Sequence, residues 1–363
     1  MHELVLEKPD GRVLSLYSRT AIHVGAVEGA VEASSLHPNP ELRWHPLRGE
    51  WVAYAAHRQQ RTFLPPPHYD PLRPGSDPTS PTELPAGDYE IAVFDNLFPS
   101  MCEDAAAPAP QIVQVGVARG RCEVVVFTQD ADTSLSRLPL GHIELLIDVW
   151  ARRTQVLRTH PHIRYVLAFE NRGAEVGVTL HHPHGQIYAY PFVPPVPLRM
   201  QAQELAHFTA HGRSLLETLI EAETNTAKRI IYCGEHAVAF VPAWARYPYE
   251  VWIAPRAAVP DFASLSPLQR ADLARAIKRT LLKYDRLWGL PMPYIMAWYQ
   301  APFDGTPPGA YHLHAECWPA FRMKGRLKYL AGTEVAAGTF VNDTLPEEKA
   351  RELQAVSVTD LES

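Results

Sequence analysis

The chain has 363 residues, a formal net charge of -6 and 46% hydrophobic residues. It can bury a sizeable core, as two domains or as one large domain built from a duplicated unit. An acidic balance argues against non-specific nucleic-acid binding, so an anionic substrate must be met by locally placed arginine and lysine. No apolar run approaches the ~18 residues of a bilayer span, and the first residues lack a basic-then-apolar leader pattern. Cys102, Cys122, Cys233 and Cys317 are scattered, with no C-x-x-C pair. The expectation is a cytoplasmic protein, away from membranes, with reduced core cysteines.

In chain order, residues 51–54 precede an arginine-bearing segment, HRQQR, with Arg58 and Arg61 three apart. Proline clusters at 65–67, 71–85, 108–110 and 191–197 read as ordered loops. Residues 122–127 and 163–169 predict strands from their β-branched and aromatic content. Between them, residues 140–157 predict a helix, and His160-Pro161-His162 marks its stop. About residues 199–224 predict one helix. Strands are predicted at 229–232, 237–241, 251–255 and 294–298. Residues 267–287 predict a helix with Ser266 as N-cap, Pro267 in the first turn and Gln269 closing a capping box.

The run from Phe169 to Tyr188, FENRGAEVGVTLHHPHGQIY, carries the chemistry. An imidazole attacks phosphorus without first losing a hydroxyl proton, and can later leave, which suits it to carry a nucleotidyl group. Gly173, Gly177 and Gly185 allow close backbone approach. Thr179 and Gln186 offer hydrogen bonds to phosphoryl oxygens, and Pro183 restricts the backbone between His182 and His184. The second half ends its own strand–helix–strand series in His312-Leu313-His314-Ala315-Glu316, an echo of His182 to Gln186. This predicts an α+β fold from duplicated half-units, residues 1–195 and 196–363, sharing one mostly antiparallel sheet with flanking helices. The first half holds the HPHGQ site and the second a degenerate copy.

The run resembles the active-site segment of the galactose-1-phosphate uridylyltransferase family, the transferase branch of the histidine-triad superfamily. WVAYAAHRQQR, VFDNLFPSM, AWYQAPFDG, HLHAE and LKYLAGTE resemble it in the same order, so the likeness spans most of the chain from about residue 41. The resemblance implies that His184 is the covalent nucleophile, that Gln186 steadies the transferring group, and that His182 supports them. Triad hydrolases carry a third histidine where Gln186 stands. Glutamine is neither acid nor base, so the intermediate should await a phosphate acceptor rather than water. By resemblance, Arg58, Arg61, Asn96 and Asn171 reach the nucleotide, and Lys328, Tyr329, Gly332 and Glu334 reach the sugar and its phosphate.

Two metal sites of the family look altered. Asp70 and Arg73 stand at the family's cysteine pair and Ala131 at a histidine, leaving His182, so the zinc site is expected to be lost. An Asp70–Arg73 pair is expected instead. Met200, Tyr299 and Glu316 stand at ligand positions of the second site, leaving His314. The resulting expectation is ping-pong transfer of UMP from UDP-glucose to galactose 1-phosphate in galactose metabolism, with no assigned metal or cofactor. The substrates are a UDP-sugar and a hexose 1-phosphate, and the chain is expected to be a homodimer. A nucleoside-diphosphate-sugar or dinucleoside-polyphosphate phosphorylase, or a non-catalytic nucleotide-sugar binder, are the rival readings.

Overall fold

The computed structural model describes residues 1–25, 38–60, 69–75 and 82–359. Its centre is an eleven-stranded sheet in which every neighbouring pair is antiparallel. From one edge the order is His2–Glu7, Val13–Ser18, Ile91–Asp95, Arg121–Val126, His184–Tyr190 and Tyr165–Arg172. It continues as Tyr294–Tyr299, His314–Pro319, Val251–Pro255, Ala237–Phe240 and Ile230–Cys233. Read outwards from the Tyr165–Arg172/Tyr294–Tyr299 seam, the five strands of the second half repeat the first five of the first half, whose outermost strand, His2–Glu7, has no counterpart. The duplication seen in the two histidine motifs is therefore a duplication of topology, and the α+β expectation holds.

Two long helices, α1 (Leu140–Arg158) and α4 (Pro267–Leu287), lie side by side on one face of this sheet. They form the main core with inward residues such as Val125, Ala168, Ile187, Ile253, Met296 and Ala315. Because side chains alternate along a strand, the neighbours of these residues point to the other face. There, α3 (Leu215–Thr226) packs Leu216 and Ile220 onto Val238, Phe240 and Ala254 of the second half, with α2 (Pro195–His211) beside it. The first half's equivalent face has no such helix pair among the described residues. A small sheet of Glu41–His45, Glu50–Tyr54 and Val115–Val117 covers one end of it, packing Leu42 and Trp51 near Tyr188 and Tyr190.

Two expectations change, and one element is new. The single helix expected over about 199–224 is two helices, because Gly212 takes φ 71° and Ser214 caps α3 by accepting the Glu217 N–H. The proline stretch 191–197 does not stay a loop, since Pro195 begins α2. An N-terminal hairpin, turning at Gly11 with φ 80°, supplies the sheet edge and was not read from sequence. The capping box of α4 is present as predicted. His160 to Ile163 form the expected turn after α1.

Candidate active site

His184 begins the strand His184–Tyr190, whose residues alternate between half-buried and buried. His184, Gln186 and Tyr188 therefore face away from α1, while Gly185, Ile187 and Ala189 face it. Gly185 is required by packing rather than by phosphate approach. A Cβ there would sit 2.7 Å from the Phe169 carbonyl oxygen and 2.8 Å from the Phe127 ring. Gly177, by contrast, meets nothing within 4 Å but takes φ +83°, and so shapes the turn leading into the histidines.

The His184 Nδ1 lies 2.8 Å from the His182 carbonyl oxygen. A carbonyl can only accept, so Nδ1 carries a proton, and in the neutral ring the lone pair then sits on Nε2. This is the tautomer a nucleophilic imidazole needs. Gln186 follows on the same face, opposite Val124 on one side and Phe169 on the other.

Arg58 is brought to this face from the small sheet's far side. It follows the strand Glu50–Tyr54 in a short 3-10 turn and donates to the Phe98 carbonyl at 2.9 Å. Burial raises the pKa of Tyr188, and the adjacent Arg58 guanidinium opposes that rise. Asn96 supports this arrangement indirectly. Its side-chain oxygen accepts the Phe98 N–H at 2.9 Å, forming an Asx turn that presents the carbonyl holding Arg58. Arg61 and the prolines at 65–67 lie outside the described residues.

At the strand ends, His184 opens onto a cavity of about 580 Å³ shared with Asn171, Arg172, Glu170, Leu180 and Phe321. Val178 and Leu180 line it, and Thr179 sits between them without being a wall residue itself. Sequence reasoning did not single out Arg172 or Glu170. Arg172 brings a cation to the cavity wall and is held 2.7 Å from Asp285, which lies on α4. Glu170 is fully buried and accepts the Tyr294 hydroxyl at 2.8 Å; burial pushes its pKa up to about 7. Both stand in FENRG beside Asn171, so their position was the available signal.

His182 is buried, and both its nitrogens are committed. Nδ1 lies 2.7 Å from the Asp70 carboxylate and Nε2 2.7 Å from the Thr128 carbonyl oxygen. Both partners are acceptors, and each takes one ring nitrogen. Burial pulls the Asp70 pKa up, but His182 and the Leu72 N–H outweigh it and hold the carboxyl below its usual range. This corrects the expected Asp70–Arg73 pairing. Asp70 turns to the buried imidazole, where a charge gains more than at the exposed Arg73 side chain. With both ring nitrogens so engaged, His182 supports His184 through its backbone carbonyl. For the family's zinc, Arg73 and Ala131 provide no ligand atom and His182 has no nitrogen to spare, so these residues do not fit that ion.

The second half keeps the same local geometry, with His314 Nδ1 2.9 Å from the His312 carbonyl oxygen. Its ring, however, is stacked between Trp252 and Tyr299 and is only 7% exposed. It lies beneath α2 and α3, in a mostly apolar cavity of about 360 Å³ also lined by Met200 and Leu216. Glu316 is fully buried, and its charge is matched by Arg246 at 2.8 Å. One imidazole, a thioether, a phenol and a carboxylate already paired with a cation are a poor set for the family's second metal.

Lys328 and Glu334 are brought to each other rather than to His184. The Ala331 N–H, the Val341 N–H and Lys328 all reach the Glu334 carboxylate and hold its pKa at about 2. Gly332 begins the helical turn that carries Glu334, while Tyr329 is 75% exposed. None of these four lines the His184 cavity within the chain.

The geometry agrees with three comparisons. Residues 32–194 match the family described as galactose-1-phosphate uridyl transferase, N-terminal domain, and residues 201–362 match its C-terminal domain. A galactose-1-phosphate uridylyltransferase of Thermotoga maritima is 37% identical over 325 residues, covering 88% of this chain and 99% of that protein. One from Rattus norvegicus is 32% identical, with 87% of each covered. A solved uridylyltransferase structure superposes with a TM-score of 0.79 at 34% identity, covering 87% of this chain and 97% of the other. Duplicated sheet, open first-half histidine and family match converge: the chain belongs to the galactose-1-phosphate uridylyltransferase family.

Proposed function

We propose that this protein is a nucleotidyltransferase that moves UMP from UDP-glucose to galactose 1-phosphate through a covalent intermediate on His184. The observation carrying this reading is the His184–His182 hydrogen bond, which fixes the proton on Nδ1 and so puts the neutral ring's lone pair on Nε2. Nε2 bonds to the α-phosphorus, the bond to the bridging oxygen breaks, and glucose 1-phosphate leaves with that electron pair. The proton stays on Nδ1, which donates to the His182 carbonyl, and that hydrogen bond eases the positive charge developing on the ring. A phosphate oxygen of galactose 1-phosphate then attacks the same phosphorus, and the P–N electron pair returns to Nε2.

An anionic phosphate needs no base to become a nucleophile, whereas water does. Gln186 therefore suits transfer and disfavours hydrolysis. Arg58 and Arg172 supply positive charge for the diphosphate, and Asn171 a polar contact beside His184. The donor sets around His182 and His314 support a transfer step carried by side chains alone, without the family's two metals.

No helix among the described residues is long and apolar enough to cross a membrane, and all four cysteines are free. The latter supports a reducing, cytoplasmic setting. Tyr329, Leu330, Val335, Val341 and Leu345 leave apolar surface exposed on the C-terminal segment, which supports pairing of two chains as a homodimer.

The test is intact mass after incubation with UDP-glucose alone. The expected result is a gain of one UMP, absent in His184→Gly. An unmodified wild-type protein that still binds UDP-glucose would overturn the covalent step. Supplying inorganic phosphate or galactose 1-phosphate then identifies the acceptor.

A further inference from the structure

We propose that Glu103, His160 and His162 form a binding site for a divalent transition-metal ion of the zinc class, away from the His184 cavity. The two histidines follow the C-terminus of α1. The His160 N–H donates to the Leu157 carbonyl at 3.2 Å and the Ile163 N–H to the His160 carbonyl at 3.1 Å, so the turn is closed on both sides. Pro161 fixes the backbone between them, and the two rings stand 5.8 Å apart at 72°. Glu103 arrives from the loop between the strands Ile91–Asp95 and Arg121–Val126.

The three side chains offer ligand atoms within 4.8 Å of one another. Glu103 Oε2 lies 3.2 Å from His162 Nε2, and Glu103 Oε1 lies 3.7 Å from His160 Nδ1. Ligands about 2.0–2.1 Å from a tetrahedral zinc ion are separated from each other by about 3.4 Å, so the two Glu103–histidine spacings match. Glu103 Oε2 and His162 Nε2 are closed off from water, yet neither is engaged in a hydrogen bond. At 3.2 Å they are near enough to bond but not aligned for it, as two ligands aimed at a common third point would be.

Two imidazoles and a carboxylate favour zinc over calcium or magnesium. The partly exposed Glu103 leaves room for water as a fourth ligand. Such an ion would clip the loop containing Phe98 and Pro99 to the base of α1. Those residues' carbonyls hold Arg58 and His57.

The test is zinc titration of the chelator-stripped full-length protein in competition with a chelating dye. The wild type should bind a single equivalent tightly. Glu103→Gln and His162→Ala should each weaken that site by at least about 100-fold, since even outer-shell partners of a metal cost 10–100-fold. His207→Ala/His211→Ala, which removes another close histidine pair on α2, should bind as the wild type does. Zinc should also raise the Tm of the wild type but not of Glu103→Gln, an isosteric change at a half-exposed position that carries the test if His162→Ala folds poorly. Equal zinc affinity in wild type and Glu103→Gln, or no stoichiometric binding by the wild type, would overturn the proposal.

Discussion

Asp70 and His182, 112 residues apart in the chain, meet at 2.7 Å as a carboxylate and a buried imidazole. The carbonyl of this same His182 orients His184. Asp70→Ala leaves a buried N–H unpaired, which costs about 1–3 kcal/mol, and loosens the segment holding the nucleophile. Urea unfolding should register the loss of stability. Steady-state kinetics should show kcat falling more than KM rises, and an unchanged kcat would mean that the ion pair does not position His184.

Chelation offers a separate check on the donor sets. Because His182 is fully committed and Glu316 is paired with Arg246, exhaustive chelation should leave formation of the UMP adduct intact. Loss of the adduct on chelation, restored by an added metal, would contradict a metal-free transfer step.

Replacing Gln186 by histidine places an acid–base group on the face that His184 shares. General acid–base assistance contributes about 10²–10⁴-fold where it operates, so Gln186→His should raise UDP-glucose hydrolysis at least tenfold relative to transfer. The comparison is release of UMP with and without galactose 1-phosphate. An unaltered ratio would remove Gln186 from the partition between acceptors.

Arg58 is held by the Phe98 carbonyl beside Tyr188, poised for charge-assisted bonds. Such bonds contribute about 1.5–3 kcal/mol, so Arg58→Ala should lower kcat/KM for UDP-glucose by about 10–100-fold. Asn96→Ala should produce a smaller loss in the same direction, because Asn96 acts only through the turn at Phe98. A larger defect in Asn96→Ala than in Arg58→Ala would reverse that order of dependence.

Glu170 supplies a pH signature. Its carboxyl is raised to about 7 by burial, so the folded state favours the protonated form. The associated stability is fully present below the unfolded carboxyl range near 4.3 and is lost as pH rises through about 7. In Glu170→Gln that pH-dependent loss, on the order of 3 kcal/mol, should disappear. Thermal unfolding of both proteins between pH 4 and 8 decides it, and parallel profiles would show that Glu170 ionises as an exposed acid does.

Much of the architecture was legible because its signals are local. Ser266, Pro267 and Gln269 announce the start of α4, and the two H-x-H motifs announce the duplication. Gly212 and Ser214 likewise mark the break between α2 and α3. Other features had no local signal. Asp70 finds His182 only after the chain has folded back. Lys328 and Glu334 satisfy each other because their segment closes on Val341.

Residues 182–186 by themselves carry the proposal of His184 as nucleophile and of transfer over hydrolysis. Imidazole and glutamine differ in whether they can carry a proton, and that chemistry belongs to the side chain wherever it sits. Only the tertiary structure decided which histidine is usable. Gln186 and Glu316 share one row of the sheet, separated only by Phe169 and Ala297, about 14 Å apart at the usual strand spacing. Their neighbours His184 and His314 hold the same hydrogen bond to the preceding histidine's carbonyl. Yet α2 and α3 cover the second copy, stacking His314 between aromatic rings, while His184 opens onto a cavity. That difference arises from which sheet face a helix packs against, a long-range outcome of apolar burial that no short window of sequence contains.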